Sequence, residues 1–455
     1  MEYTRRLAEF CSEITIEHLP PEVIAKTKHC LLDYVANIYG SLELQAATRV
    51  AAYIKSLGGE PRATALGCGF KTDIHHAAFV NGTNGEAIEA QDGLRFGGSH
   101  PGTAVIPSVI AVGEDLGCKG TDIIEAIAAG YEVANRVASA AHPWQTLSGF
   151  LPTGTCGAFG AAAAVARLRK FNGDTTLNAL SNAGYLLPIC MAEQLMGGFT
   201  IKIVQGGQAA NAGIMAAGLA GQEITGAPYI LEGSVLNGGF ATITTGGKPQ
   251  LGRLIEGLGE SYSIMDVYFK PYTACRHTHG SAQAVLELRR ERLIDPGDID
   301  SIAVYTYGIA QIAVGKGMDA QKSFVNAQFS IPYVVAVCLL DGELGPGQLT
   351  EQRIKDSKTL ELASKVTVNM DEELNRVYPG MTSSRVEIRL KNGELLTRQI
   401  DIPKGDPRDP LTEDELIDKL RRFAGGRDNS KLNQVIEKIL NLDNLERIAD
   451  LTELI

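Results

Sequence analysis

The chain has 455 residues, of which 44% are hydrophobic and 21% charged, so it can bury a large core and is not a disordered or low-complexity protein. Its formal net charge of −11 disfavours nucleic acid and anionic membrane surfaces as partners. No apolar run is long enough to span a bilayer, and the eight cysteines form no CxxC pair. We therefore expect reduced thiols in a cytoplasmic protein.

Helical patterns dominate the first 260 residues. They cover residues 21–40, 72–91, 103–117, 122–141, 154–170 and 205–221. The first helix has Pro21 in its first turn, and the long fourth one has Gly120 or Thr121 at its cap. The last two are rich in glycine and alanine, which predicts tightly packed helices and not phosphate-binding loops.

The pattern changes near residue 265. Alternating strand patterns follow at 299–308, 364–370, 383–390 and 394–403, and two helices, at 278–293 and 325–341, interrupt this β-rich region. The KNGE sequence between the last two strands is typical of a hairpin turn. We predict a fold that is mainly α with an α+β part. Residues 1–268 and 405–455 would form a large helical domain, and residues 269–404 an inserted, smaller α/β lid.

A basic segment lies at the start of this predicted lid. It contains Lys270, Tyr272, Arg276, His277 and His279 within ten residues. Lysine and arginine bind carboxylates by charge and forked hydrogen bonds, and histidine can move a proton near neutral pH. The segment therefore predicts a site for a small polycarboxylate. The alternative is a solvated basic loop at a domain junction.

The same segment also has the spacing of a metal site. Cys275, His277 and His279 alternate, so an extended chain would place them on one face, where they could hold zinc. Lys270 and Arg276 in the same stretch would repel a metal cation. We therefore expect no metal here.

A second group of polar residues precedes the third predicted helix. Asp92 and His100 flank a glycine-rich loop, and such a carboxylate and imidazole can act as a general base and acid. Lys202 lies just before the glycine-rich helix at 205–221 and could face a substrate. The alternatives are a capping aspartate, a structural histidine and a surface lysine.

Together these motifs resemble the MmgE/PrpD family, which includes 2-methylcitrate dehydratase, cis-aconitate decarboxylase and iminodisuccinate epimerase. The resemblance runs nearly end to end. It is carried by Asp92 to Pro107 with its HPGTAVIP sequence, GFLPTGTCGAFGAAAAVARL (149–168), Lys202 to Ala210, FKPYTACRHTH (269–279), FSIPYVVAVCLLDG (329–342) and the closing GDPRDPLTEDEL.

The resemblance implies a helical domain built from both chain ends with an inserted lid, a homodimer, and a site between the domains without metal or organic cofactor. Asp92, His100, Lys202, Lys270 and His279 match site residues of the family. Two positions depart from it. Leu151 stands where many members have histidine, and Cys275 falls where the decarboxylases carry a histidine.

We therefore predict a cofactor-independent lyase that acts on a small di- or tricarboxylate, most specifically a hydro-lyase of the 2-methylcitrate dehydratase type that abstracts an α-proton. The predicted catalytic residues are Asp92, His100, Lys270 and His279, and the predicted substrate-binding residues are Lys202, Tyr272, Arg276 and His277. A decarboxylase or epimerase of the same family is the alternative. A catalytically silent dimer that only binds carboxylates is a further alternative.

Overall fold

Helices make up most of the first 260 residues of the computed structural model, which describes residues 2–319 and 321–455. They are α1 (Tyr3–Glu13), α2 (Pro21–Ser41), α3 (Gln45–Leu57), α4 (Ile74–Ala87), α5 (Gly102–Leu116), α6 (Gly120–Ala141), α7 (Trp144–Leu147), α8 (Pro152–Leu168), α9 (Gly173–Leu186), α10 (Ala192–Met196), α11 (Gln205–Ala220) and α12 (Phe240–Thr244). Two short hairpin strands, β1 (Ala63–Ala65) and β2 (Phe70–Thr72), interrupt them.

Helix α4 ends earlier than its sequence pattern predicts. Asp73 caps its start by accepting hydrogen bonds from the backbone N–H groups of His75 and His76. The helix ends at Ala87 instead of continuing to residue 91, because Glu89 adopts a left-handed backbone with φ 56°. A non-glycine residue rarely adopts this conformation, and such strain concentrates at functional sites.

The glycine-rich helix α8 packs closely against α6, as its sequence predicts. A Cβ atom added at Gly160 would lie 2.6 Å from the Cβ of Ala134 and 2.7 Å from the carbonyl oxygen of Gly130. Only a glycine at this position lets the two backbones approach so closely.

Apart from the first two strands, which pair with each other, the remaining elements form the smaller α/β part and the C-terminal helices. They are β3 (Gly93–Leu94), β4 (Val267–Tyr268), α13 (His279–Glu291), β5 (Ile299–Thr306), α14 (Gly308–Val314), α15 (Phe324–Gln328), α16 (Ile331–Asp341), α17 (Glu351–Ile354), α18 (Ser357–Ser364), β6 (Val366–Met370), α19 (Glu372–Arg376), β7 (Ser384–Leu390), β8 (Leu395–Ile400), α20 (Glu413–Ala424), α21 (Asn429–Leu440) and α22 (Ala449–Thr452).

One mixed sheet organises this part. Its strand order is β6-β5-β7-β8, with β5 and β6 parallel and the other pairs antiparallel. The predicted helix at 325–341 is divided into α15 and α16, since Ser330 caps α16 and Pro332 occupies its first turn. The predicted fold class, mainly α with a smaller α/β part, is confirmed.

The C-terminal helix α20 returns to α2 near the start of the chain. Lys419 on α20 donates a 2.6 Å hydrogen bond to Asp33 on α2, and both side chains are buried. The predicted domain limits at residues 268 and 405 remain a prediction. Within the described residues, no helix combines the length and the apolar character that a membrane crossing requires.

Candidate active site

The short β3–β4 pair brings together two segments that are far apart in the sequence. Gly93 pairs with Tyr268 in an antiparallel register, so the chain just after Asp92 lies beside the chain just before Lys270. A Cβ atom at Gly93 would lie 2.8 Å from Nδ1 of His100, so a larger residue would displace the imidazole. This pairing places the predicted acid–base loop next to the predicted basic segment.

Glu89 is the centre of the buried charged cluster, and sequence reasoning missed it. Its Oε1 atom accepts a 2.7 Å hydrogen bond from Nζ of Lys270, and its Oε2 atom accepts one from Nζ of Lys202. Burial alone would raise the pKa of Glu89, but the two ammonium groups outweigh it and hold that pKa well below its usual range. The signal for this cluster was present in the sequence, because two glutamates three residues apart end a helical stretch whose only other Asp, Glu, Lys or Arg residue is the capping Asp73.

Glu86 connects the same cluster to the start of α11. Its carboxylate lies 3.0 Å from Nζ of Lys202 and accepts hydrogen bonds from Nε2 of Gln205 and the backbone N–H of Gly206, at 2.6 and 3.0 Å. Burial raises the pKa of Glu86, although Lys202 opposes that shift. Lys202 is therefore a buried residue held by two carboxylates, and the surface-lysine alternative is wrong.

His100 presents a free imidazole nitrogen to this cluster. Its Nδ1 atom lies 2.6 Å from the carbonyl oxygen of Asp92, and because a carbonyl only accepts, Nδ1 carries the hydrogen. Nε2 therefore presents its lone pair, 3.9 Å from Oε1 of Glu89. Burial and the charge of Lys270 lower the pKa of His100 to about 3, so the free site holds a neutral imidazole.

The carboxyl group of Asp92 points to the helical core instead of to the lysines. It accepts a 2.6 Å hydrogen bond from the hydroxyl of Tyr131 and a 3.2 Å bond from the backbone N–H of Gly102. Burial raises the pKa of Asp92 to about 7. This geometry positions the loop that carries His100, and the proton-transfer role predicted for Asp92 stays a prediction.

Replacing Asp92 by asparagine should change how stability depends on pH. A carboxyl whose pKa rises from 3.8 to about 7 on folding contributes stability below pH 4 that is lost as the pH rises to about 7. The difference corresponds to roughly 4 kcal/mol at 1.36 kcal/mol per pKa unit. Urea unfolding between pH 4 and 8 should therefore show wild type losing stability relative to Asp92→Asn across this window. If the free energies of unfolding of the two proteins change in parallel with pH, the raised pKa of the buried Asp92 carboxyl is contradicted.

Arg276 donates hydrogen bonds to the backbone of the chain just before the C-terminal helices. Its two terminal nitrogens donate hydrogen bonds to the carbonyl oxygens of Pro403 and Lys404, at 2.6 and 2.7 Å. Its guanidinium group also lies over the ring of Tyr268, 4.9 Å from the centroid. In this conformation Arg276 holds the basic segment in place, and its predicted carboxylate contact stays a prediction.

The two histidines of the basic segment are neutral, and His279 is buried while His277 is half-buried. Nδ1 of His277 lies 2.6 Å from the hydroxyl of Tyr307, and burial lowers the pKa of His277 to about 4. Nε2 of His279 lies 3.0 Å from the carbonyl oxygen of Ala274, and burial with the charge of Arg276 lowers its pKa strongly. The segment is therefore not the solvated loop of the alternative interpretation.

Tyr272 belongs to the same packed segment. Its ring lies against that of His279, with the centroids 5.2 Å apart, and burial raises the pKa of its hydroxyl. The structure shows no contact between Tyr272 and the lysine–glutamate cluster. Substrate binding by this residue stays a prediction.

Cys275 and Leu151 occupy the two positions that depart from the family pattern. The Cys275 thiol is buried, which raises its pKa to about 11 and keeps it protonated at neutral pH. Leu151 immediately precedes α8, and its backbone N–H donates to the carbonyl oxygen of Cys190. In the described part of the chain, no three His, Cys, Asp or Glu side chains are grouped so as to hold a metal ion.

Comparison with known families places this site in context. The MmgE/PrpD N-terminal domain matches residues 5–251, and the MmgE/PrpD C-terminal domain matches residues 272–444. The chain belongs to the MmgE/PrpD family. The resemblance identified from the motifs is thereby confirmed, and the chain is an enzyme of the MmgE/PrpD type, a lyase or an isomerase.

Relatives of this MmgE/PrpD protein match it along its whole length. Cis-aconitate decarboxylase of Aspergillus terreus is 25% identical over 475 residues, covering 99% of this chain and 95% of the relative. Cis-aconitate decarboxylases of Homo sapiens and Mus musculus are 26% and 27% identical, covering 99% of this chain and 94% and 93% of theirs.

Proposed function

We propose that the chain is a cofactor-independent lyase for a small polycarboxylate and that it decarboxylates an unsaturated tricarboxylate of the cis-aconitate kind. The observation that carries the proposal is the buried pair of ammonium groups, Lys202 and Lys270, next to the free Nε2 of His100. The full-length similarity to cis-aconitate decarboxylases supports this choice of reaction over the hydro-lyase predicted from the sequence.

The two lysines would bind carboxylate groups of the substrate. Glu89 now occupies the position between Lys202 and Lys270 that a substrate carboxylate would share or take. Ammonium groups preorganised in a buried site stabilise the negative charge that develops when the C–C bond to the departing CO2 breaks. The electron pair of that bond spreads onto the neighbouring double bond and carboxylate.

His100 would then supply the proton that completes the product. A bound polycarboxylate adds negative charge beside Nε2 of His100 and so raises the affinity of the imidazole for a proton. The protonated ring can transfer that proton to the carbon of the delocalised carbanion that lies next to the remaining carboxylate, so that the double bond shifts. The hydrogen bond from Nδ1 to the Asp92 carbonyl fixes the ring orientation during this step.

A hydro-lyase of the 2-methylcitrate dehydratase type is the second candidate. The neutral imidazole of His100 favours this reaction, because its unprotonated Nε2 can accept an α-proton. Leu151 and Cys275 also stand at positions for which the family resemblance leads us to expect histidine. Fewer protonated groups are therefore available to protonate a carbanion.

An assay with four substrates distinguishes these reactions. The purified protein is incubated with cis-aconitate, 2-methylcitrate, citrate and iminodisuccinate, and CO2 release, enoate absorbance and deuterium exchange are followed. CO2 from cis-aconitate supports the proposal, and enoate formation without CO2 supports the hydro-lyase. Deuterium exchange without net conversion indicates an epimerase. Thermal stabilisation without any turnover indicates a catalytically silent binding protein and contradicts both lyase proposals.

We also propose that the protein forms a homodimer through the surface around α10. Large apolar side chains are exposed throughout residues 185–201, namely Tyr185, Ile189, Met191, Met196, Phe199 and Ile201. A soluble monomer rarely exposes so many apolar side chains in one segment, and such patches mark protein interfaces.

Replacing Phe199 by aspartate should therefore dissociate the dimer. A charge that becomes buried at an interface weakens association by several kcal/mol. Phe199 is 59% exposed in the single chain, so the same charge would cost a monomer much less. Light scattering after size-exclusion chromatography should change from a dimer mass to a monomer mass. Tyr53→Asp, at an exposed aromatic residue on α3, is the matched control and should leave the mass unchanged. A monomeric wild type would contradict the proposal.

A further inference from the structure

Four buried charged side chains meet in the candidate active site, and their charges cancel. Lys202 and Lys270 contribute two positive charges, and Glu86 and Glu89 contribute two negative charges. All four are less than 5% exposed. A site for a polyanion would normally be positive, so this neutrality limits how strongly a substrate with several carboxylates can bind.

Glu89 and Glu86 have different roles in this balance. Glu89 contacts both lysines and lies 3.9 Å from Nε2 of His100, so it borders the reacting groups. Glu86 contacts only one of the lysines, Lys202, and its other partners belong to the first two residues of α11. Its negative charge therefore acts on the substrate through Lys202.

We infer that Glu86 is a positioning and specificity-determining residue, whose charge weakens the binding of substrates in proportion to their number of carboxylates. The inference rests on the proposed function, because it assumes that the lysine pair binds carboxylates. The ionised carboxylate of Glu86 attracts Lys202 away from the substrate and repels each substrate carboxylate. A tricarboxylate is affected more strongly than a dicarboxylate, so Glu86 reduces the advantage in affinity that a tricarboxylate gains from the two lysines.

The surroundings of Glu86 also predict a pH dependence. The titratable groups that face it are Lys202, Glu89 and Cys190, with Lys270 and His100 beyond Glu89. Burial raises the pKa of Cys190 to about 12, so this thiol stays neutral. Glu89 is held ionised by two lysines, whereas burial raises the pKa of Glu86. Glu86 is therefore the carboxylate of the cluster that takes up a proton first as the pH falls.

Glu86→Gln tests the inference, because it removes the charge and keeps the shape of the side chain. Binding of propane-1,2,3-tricarboxylate and of succinate, neither of which is expected to react, is measured by isothermal titration calorimetry between pH 5 and pH 8. At an effective dielectric constant of about 20, we expect the variant to bind the tricarboxylate about tenfold and succinate about fivefold more tightly at pH 8. The difference in affinity between wild type and the variant should shrink as the pH falls, because protonation of Glu86 removes its charge.

A purely structural role for Glu86 predicts that Glu86→Gln does not favour binding of the tricarboxylate over that of succinate. If Glu86→Gln weakens both ligands, or changes both by the same factor, the inference is overturned. It is also overturned if wild type binds neither probe. Glu132→Gln is the matched control, since it removes another buried carboxylate, one that pairs with Arg136 on α6, and it should keep the wild-type preference.

The outcome is separable from that of the proposed reaction. The binding measurements need no turnover, so a protein that shows the predicted charge dependence but releases no CO2 from cis-aconitate supports the role of Glu86 and contradicts the decarboxylase proposal. A protein that releases CO2 from cis-aconitate but shows no charge dependence supports the decarboxylase proposal and contradicts the role of Glu86.

Discussion

Replacing Lys270 by methionine should reduce kcat/KM about a thousandfold, the loss typical of removing one preorganised charge partner from a transition state. Lys270 is fully buried and donates to both the side chain and the backbone carbonyl of Glu89, at 2.7 and 3.1 Å. Methionine has a similar length but carries no charge. A substrate carboxylate would lose its ammonium partner, and Glu89 would keep only Lys202.

The same change should also lower stability, and a control separates the two effects. Removing one partner of a buried ion pair costs about 3–5 kcal/mol, because the other charge is left uncompensated. Arg136→Met breaks another buried pair, the 2.7 Å contact with Glu132 on α6. It should lower the free energy of unfolding by a similar amount and change kcat/KM by only a few fold. A loss of less than tenfold for Lys270→Met, or equal losses for both variants, would contradict a direct role for Lys270.

The architecture could be predicted because most of it follows from local patterns. The helices that form α2, α5, α6 and α11 lie within one or two residues of their predicted limits. Pro21 at the start of α2 and Gly120 at the start of α6 are local start signals, and the run of small residues in α11 is a local pattern as well. The alternation in residues 383–403 and the KNGE turn likewise predict β7 and β8. Each of these signals depends on neighbouring residues only.

The centre of the site could not be predicted in the same way. Asp92 and His100 were paired as base and acid because they flank one loop, yet the contact between them joins the His100 ring to the backbone carbonyl of Asp92. Glu89 instead faces the lysines, since its left-handed backbone ends α4 and redirects the chain. That conformation depends on partners more than 100 residues away, and no local pattern encodes it.

The buried state of the lysines was the other feature that local reasoning could not supply. Lysine is rarely buried without a partner, so Lys202 considered alone is interpreted most simply as a surface residue. Its partners are Glu86, in the last turn of α4, and Glu89, just beyond the end of that helix, and the apolar periodicity of this stretch gives no sign of an ion pair. The sequence signal for the cluster is the presence of Glu86 and Glu89 in a stretch that is predicted as a helix and is otherwise mostly apolar or small.

Replacing His100 by asparagine should reduce kcat/KM by about 10²–10⁴, the usual contribution of a positioned acid or base. The amide nitrogen of asparagine can replace Nδ1 as the donor to the Asp92 carbonyl, which lies 2.6 Å away in the wild type. The loop geometry is therefore retained while Nε2, the atom that faces Glu89, is lost. Because Lys202 and Lys270 still hold the substrate carboxylates, the loss should appear in kcat, with KM changed only a few fold.

Deuterium exchange gives a second measurement of the same role. In deuterated water, the wild-type protein should place one deuteron on the product carbon that is protonated after CO2 departs, and His100→Asn should slow this step together with turnover. A fall in kcat/KM of tenfold or less, which is about 1.4 kcal/mol, would contradict a central proton role for His100. The proton would then have to come from one of the two ammonium groups in contact with Glu89, Lys202 or Lys270. If Lys270 is the donor, Lys270→Met would abolish deuterium incorporation, whereas His100→Asn would leave it unchanged.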